Sequence, residues 1–153
     1  MRRLELKIPP IIVVLIFAAL IWLTSRQAPS FNLPIPGGPI VAVVVAFTGL
    51  AIAAAATILF RRAHTTLDPT KPAAASALIT SGIFRRSRNP IYVGMLLLLL
   101  AWALYIGNLF AFLFLPGFVL YMNRFQIISE EKFLLSRFGD AFTAYQARVR
   151  RWL

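Results

Sequence analysis

An all-α integral-membrane fold is predicted for this chain: four transmembrane helices, a cytoplasmic loop and a C-terminal interfacial helix, in one domain spanning 1–153. Three observations predict it. Of 153 residues, 59% are hydrophobic and only 14% charged, whereas soluble domains are roughly 45–50% apolar and about 25% charged. The apolar residues gather into four runs of a length that crosses a hydrocarbon core. Basic residues flank those runs in an alternating pattern, rich then poor.

The first run covers about 8–25, with Pro9 and Pro10 tolerated in its opening turn. It follows Arg2, Arg3 and Lys7 as a signal peptide would. The run is long for one, however, and no small-x-small cleavage site follows in Thr24-Ser25-Arg26-Gln27, so it reads as a span. Residues 30–39 hold Pro34, Pro36, Gly37, Gly38 and Pro39 and form a stiff external loop. The second run, about 38–60, is rich in Ala and Val, with Gly49 among small residues that admit a neighbouring helix. Between 64 and 89 lies a long loop, broken at Asp68-Pro69 and mildly helical over 73–78.

The third run spans 90–106 and the fourth about 109–128, with a bend expected at Pro116-Gly117. Only Gly107-Asn108 separates them, so they must form an antiparallel hairpin. Past the fourth run, Gly139 suits a left-handed cap. Asp140 then opens a short helix whose Phe142, Tyr145 and Val149 share one interfacial face.

Positive-inside counting orients this arrangement. Arg2, Arg3 and Lys7 precede the first span, and only Arg26 follows it. The second loop carries Arg61, Arg62, Lys71, Arg85, Arg86 and Arg88, the hairpin turn carries none, and the C-terminal part is rich again. Both termini are therefore expected in the cytoplasm. The net charge of +11 sits at these flanks instead of forming a stripe interleaved with aromatics, which argues against nucleic acid and for anionic lipid headgroups. With no cysteine and one histidine, the chain offers neither disulfides nor a good metal-ligand set. His64, at a span exit, reads as an interfacial residue.

Two clusters carry the chemistry. Ser87-Arg88-Asn89-Pro90-Ile91-Tyr92-Val93-Gly94 opens the third span, and Glu130-Glu131 follows the fourth. The chain has five acidic residues, so two side by side at a membrane boundary call for a reason. Asn89-Pro90 has a plain explanation as helix cap and first turn, but a helix N-terminus also attracts a carboxylate. Tyr92 can donate its hydroxyl or sit in an aromatic belt. Gly94 can admit a cofactor or a neighbouring helix. Glu130 and Glu131 could end a helix and pair with Lys132 or Arg137, as surface charges do at little gain. Helical spacing instead sets Asn123, Gln126 (or Ile127), Glu130 and Arg137 on one stripe and Tyr121, Arg124, Ile128 and Glu131 on the next.

The pairing of the two clusters resembles the motif of the integral-membrane isoprenylcysteine carboxyl methyltransferase and phospholipid methyltransferase family: Arg-His-Pro-x-Tyr, a hydrophobic stretch, then Glu-Glu. The resemblance runs from about residue 64 to 153 and takes in Lys71-Pro72, 78–84, Phe138-Gly139, Tyr145 and Val149-Arg150-Arg151. It implies S-adenosylmethionine as cofactor, bound by Arg88, Asn89, Pro90, Tyr92, Gly94, Glu130 and Glu131, with Glu130 and Glu131 catalytic. It also implies a lipid or other lipophilic, membrane-embedded acceptor presenting a carboxylate or an amine. Asn89 stands where the family usually has His; it can hydrogen-bond but cannot titrate, so a proton-transfer role there is in doubt. No Gly-x-Gly-x-x-Gly occurs, which excludes a soluble Rossmann-type site. The alternative class is a non-enzymatic small membrane adaptor or transporter subunit; no apolar run contains a carboxylate, which disfavours proton-coupled export.

Overall fold

The computed structural model describes residues 8–33, 35–63 and 77–153. His64, Lys71-Pro72 and most of the helix expected at 73–78 lie outside the described residues. The α-helices are α1 (Pro10–Gln27), α2 (Gly38–Arg62), α3 (Pro90–Ile106), α4 (Phe114–Met122) and α5 (Ile128–Arg148).

Local chemistry sets most of the boundaries. α1 begins with Pro at its first position and stops before Ala28-Pro29, where Pro disfavours helical backbone in the residue before it. α2 closes on Arg61 and Arg62, whose charges complement the helix C-terminus. α3 ends at Gly107, left-handed at φ 67°, whose N–H donates to the Ala103 carbonyl at 2.9 Å. Buried Asn108 then ties the hairpin turn to the first loop: its amide donates to the Ala28 carbonyl (3.0 Å) and Asn32 Oδ1 (2.7 Å).

α1, α2 and the continuous helical stretch Leu109–Arg148 are long and apolar enough to cross a membrane. α3 is a shorter apolar helix of 17 residues, about 25 Å at 1.5 Å per residue. Large apolar side chains such as Leu15, Ile40, Phe47 and Leu120 are exposed around the outside, as a lipid-facing surface requires. The molecule is a multi-pass membrane protein.

The fourth run departs from a plain helix in two places, neither of them Pro116-Gly117. It opens as a 3-10 turn, Leu109–Leu113, and widens to a π-helix at Asn123–Ile127. Pro116 falls in the first turn of α4, where its missing N–H is tolerated.

Val13 and Ile21 of α1, Leu99 and Ala103 of α3, and Phe118 and Met122 of α4 make one core. α2 packs on the other face of α3 through a reciprocal notch. A Cβ at Gly49 would stand 2.8 Å from the Gly94 carbonyl oxygen, and one at Gly94 would stand 2.7 Å from that of Gly49. The two backbones touch there.

Gly139 breaks α5 with φ 49° and ψ −123°, a positive φ as expected although outside the left-handed helical well. Beyond it, Phe142 and Tyr145 pack against Ala56 of α2 and Phe84 of the 3-10 turn Gly82–Arg85. The apolar face expected on the bilayer surface is therefore buried in protein. An amphipathic period reports one apolar side, and here α2 and the 82–85 turn cover it.

Candidate functional site

The start of α3 and the start of α5 meet around one cavity. Arg88, Asn89, Pro90, Tyr92, Glu130 and Glu131 all line it, together with Tyr145 and an apolar wall that includes Phe60, Met95 and Phe142. Its volume is about 380 Å³, within the range of small-molecule sites, and its make-up is typical of them: mostly apolar, with a few convergent polar groups.

Gly94 is not among the lining residues. It faces α2, and the space a side chain would need is filled by the Gly49 carbonyl and Ala53. Of the two roles open to it, the structure gives the helix contact.

The two glutamates have different partners. The Tyr92 hydroxyl donates to Glu130 Oε1. Glu131 is held by two arginines: Arg151 donates Nε to Oε1 at 3.1 Å and Nη2 to Oε2 at 2.6 Å, while Arg88 Nη2 lies 3.1 Å from Oε1. Neither Lys132 nor Arg137 is the partner. The π-helix at Asn123–Ile127 shifts the two stripes at their midpoint: one extra residue in a 3.6-residue turn rotates everything beyond it by about 100°. Gln126, inside that π-helix, is fully buried and donates Nε2 to the Ile8 carbonyl at 2.6 Å.

Asn89 occupies the cap position of α3, but its side chain makes no cap bond. Its amide instead donates to the Arg151 carbonyl at 2.9 Å. Ser87 Oγ donates to the same carbonyl at 3.3 Å, and the Arg88 N–H donates to the Arg150 carbonyl at 3.0 Å. Trp152 Nε1 donates to Asn123 Oδ1 at 3.0 Å. Segment 149–153 is thus laced to both clusters. Sequence reasoning placed Arg150 and Arg151 among the C-terminal basic residues and in the stretch that resembles the family, and offered Lys132 or Arg137 as partners for the glutamates.

Charge at the site is unevenly balanced. Arg88 keeps only 12% of its side-chain surface exposed, and its Nε and Nη1 are buried with no hydrogen-bond partner among the described residues. Such donors are costly unless a ligand or water satisfies them. Glu130 lies two residues past the fourth apolar run. Burial raises its carboxyl from about 4.5 to about 7; the Tyr92 hydrogen bond opposes that rise and the negative charge of Glu131 adds to it. Burial likewise pushes the Tyr145 hydroxyl up to about 12, against the pull of the Arg88 charge, so it stays protonated and donates to the Phe84 carbonyl at 2.7 Å.

The family model for phospholipid methyltransferase matches residues 39–141. An uncharacterised protein from Haemophilus influenzae is 49% identical over 63 residues, 41% of this chain and the whole of that relative. No solved structure matches.

Proposed function

The chain belongs to the phospholipid methyltransferase family, and we propose that it transfers a methyl group from S-adenosylmethionine to a lipophilic or membrane-embedded acceptor bearing a carboxylate or an amine. The observation that carries this reading is the union of the two sequence clusters at one cavity, with an unsatisfied cation and a carboxylate side by side.

The residues fit that cofactor. Its amino-acid end needs a cationic donor pair for the carboxylate and an acceptor for the ammonium, and Arg88 and Glu130 offer these. When bound, S-adenosylmethionine supplies an electrophilic methyl group. Arg88 would hold the anionic end beside the first turn of α3, whose free N–H groups favour negative charge. Tyr92 fixes the rotamer of Glu130 through their hydrogen bond. The apolar wall excludes water, so the gain comes from alignment in a dry site. A carboxylate acceptor needs no base. An amine acceptor must lose a proton, and a cavity carboxylate, Glu130 or Glu131, would take it.

A lateral path for the acceptor is supported by Ile11, which lines the cavity and is 56% exposed on the lipid-facing side of α1. Four spans with both termini cytoplasmic would put the cavity at the inner edge of the bilayer, in keeping with the charge pattern. The test is transfer of radiolabelled methyl groups into total lipid extract, prenylcysteine analogues and a panel of soluble amines. Label in lipid-soluble products is expected. Label confined to water-soluble products would end the lateral-access reading, and none anywhere would end the enzymatic one.

A further inference from the structure

We propose that Arg151 is a positioning residue for the cofactor's anionic end, acting through Glu131 to keep the Arg88 guanidinium free for it. The inference rests on the S-adenosylmethionine reading and assigns a task to a residue that touches none of the reacting atoms.

The argument begins with charge. One carboxylate, Glu131, lies between two guanidinium groups. Two cations on one anion leave a positive charge uncompensated. Arg151 takes both oxygens of Glu131 in a bidentate grip, the strong geometry for this pair. Arg88 reaches Glu131 through Nη2 alone and retains Nε and Nη1, buried and without a partner among the described residues. The two arginines also differ in exposure: Arg151 keeps 34% of its side-chain surface in contact with solvent, against 12% for Arg88. The desolvated cation is the one lining the cavity. The surplus charge therefore sits on Arg88, where an incoming carboxylate would neutralise it.

Removing Arg151 reverses that balance. Glu131 would then belong to Arg88 alone, and a bidentate pair between them would cancel the charge and occupy the open donors. The backbone of the same segment sets the geometry. The carbonyls of Arg150 and Arg151 accept from the Arg88 N–H, Asn89 Nδ2 and Ser87 Oγ, which fixes the base of the Arg88 side chain. Those bonds use main-chain atoms and survive substitution of the Arg151 side chain.

This sign of coupling predicts a rescue. Arg151→Leu should weaken S-adenosylhomocysteine binding about tenfold, or about 1.4 kcal/mol. It should leave the decarboxylated analogue S-adenosyl-3-thiopropylamine within about twofold of wild type, since that ligand presents no anion. Adding Glu131→Gln to Arg151→Leu removes the competing carboxylate and returns Arg88 to a net positive charge, so S-adenosylhomocysteine affinity should recover. A purely structural Arg151 predicts the opposite, because the double variant loses one more contact.

The experiment is calorimetric titration of both ligands into detergent-solubilised wild type, Arg151→Leu, Arg151→Leu/Glu131→Gln and Glu131→Gln, with thermal unfolding of each. If Arg151→Leu weakens S-adenosylhomocysteine alone and the double variant is rescued, the assignment stands. Equal weakening of both ligands by Arg151→Leu, or no weakening of either, overturns it while the cofactor reading survives. A double variant as weak as the single one overturns it too. Wild type that binds neither ligand overturns the cofactor reading and this inference together. Should Arg151→Leu fail to fold, Arg151→Lys takes its place: it keeps a charge beside Glu131 but not the two-point grip, so S-adenosylhomocysteine should weaken relative to the decarboxylated analogue, and an unchanged ratio of the two affinities would contradict the proposal.

Discussion

Gly94→Ala should destabilise the protein without altering the chemistry of the cavity. The added Cβ would stand 2.7 Å from the Gly49 carbonyl oxygen and 3.0 Å from the Ala53 Cβ. Ordinary contacts of this kind lie near 3.5–4.0 Å, so α2 and α3 must part by roughly half an ångström to one ångström along their closest line. Overpacking of this kind costs about 1–3 kcal/mol. Replacing a helical Gly by Ala returns about 1 kcal/mol of backbone entropy and propensity. The balance is a loss of up to about 2 kcal/mol. Because Gly49 and Gly94 form one notch, Gly49→Ala should cost a similar amount, and the double variant less than the two losses added, since the helices separate once. Thermal unfolding in detergent, followed by helical circular dichroism, reads the stability. Titration with S-adenosylhomocysteine reads the cavity and should stay within a few-fold of wild type. A Gly94→Ala protein of full stability that loses the ligand would refute the helix-contact role and restore the cofactor role.

Glu130→Ala should weaken S-adenosylhomocysteine binding by roughly 1.5–3 kcal/mol if a charge-assisted bond is lost; unchanged affinity in the folded variant would make Glu130 an ordinary helix-end carboxylate. The carboxyl of Glu130 is raised in the folded state, so the stability it contributes is present in full below about 4.5 and is lost as pH rises through about 7. Glu130→Gln should flatten the stability profile across that window, which paired unfolding measurements at several pH values would detect. Asn89→His should keep cofactor binding, because an imidazole N–H can donate to the Arg151 carbonyl as the amide does; loss of binding would mean that the shorter side chain is required. A cysteine introduced as Ser81→Cys should be labelled only from the cytoplasmic side, and labelling from the opposite face would contradict the four-span topology.

Much of the fold was legible because its signals are local. Pro9-Pro10, Pro90 and Gly107 act through their own backbone, and α3 begins and ends where they say it should. The meeting of the two motif clusters was legible as well, through the short hairpin turn that returns the chain to the same end of the bundle. The π-helix at Asn123–Ile127 was not, since no residue in it forbids an ordinary helix. Long-range contacts accompany it: Gln126 bonds to Ile8 and Asn123 to Trp152. The same cause hid the division between the glutamates. Arg151 lies 20 residues beyond Glu131, and only the break at Gly139 and the burial of Phe142 and Tyr145 return the chain to it. Gly94 was ambiguous in sequence because a glycine serves a ligand and a helix equally well.

The central claim is that this cavity binds the cofactor, and calorimetric titration of S-adenosylhomocysteine into the solubilised wild-type protein tests it most directly. Saturable binding at one site per chain, weakened by Glu130→Ala, is the expected result. Folded wild-type protein that gives no saturable binding would contradict the account.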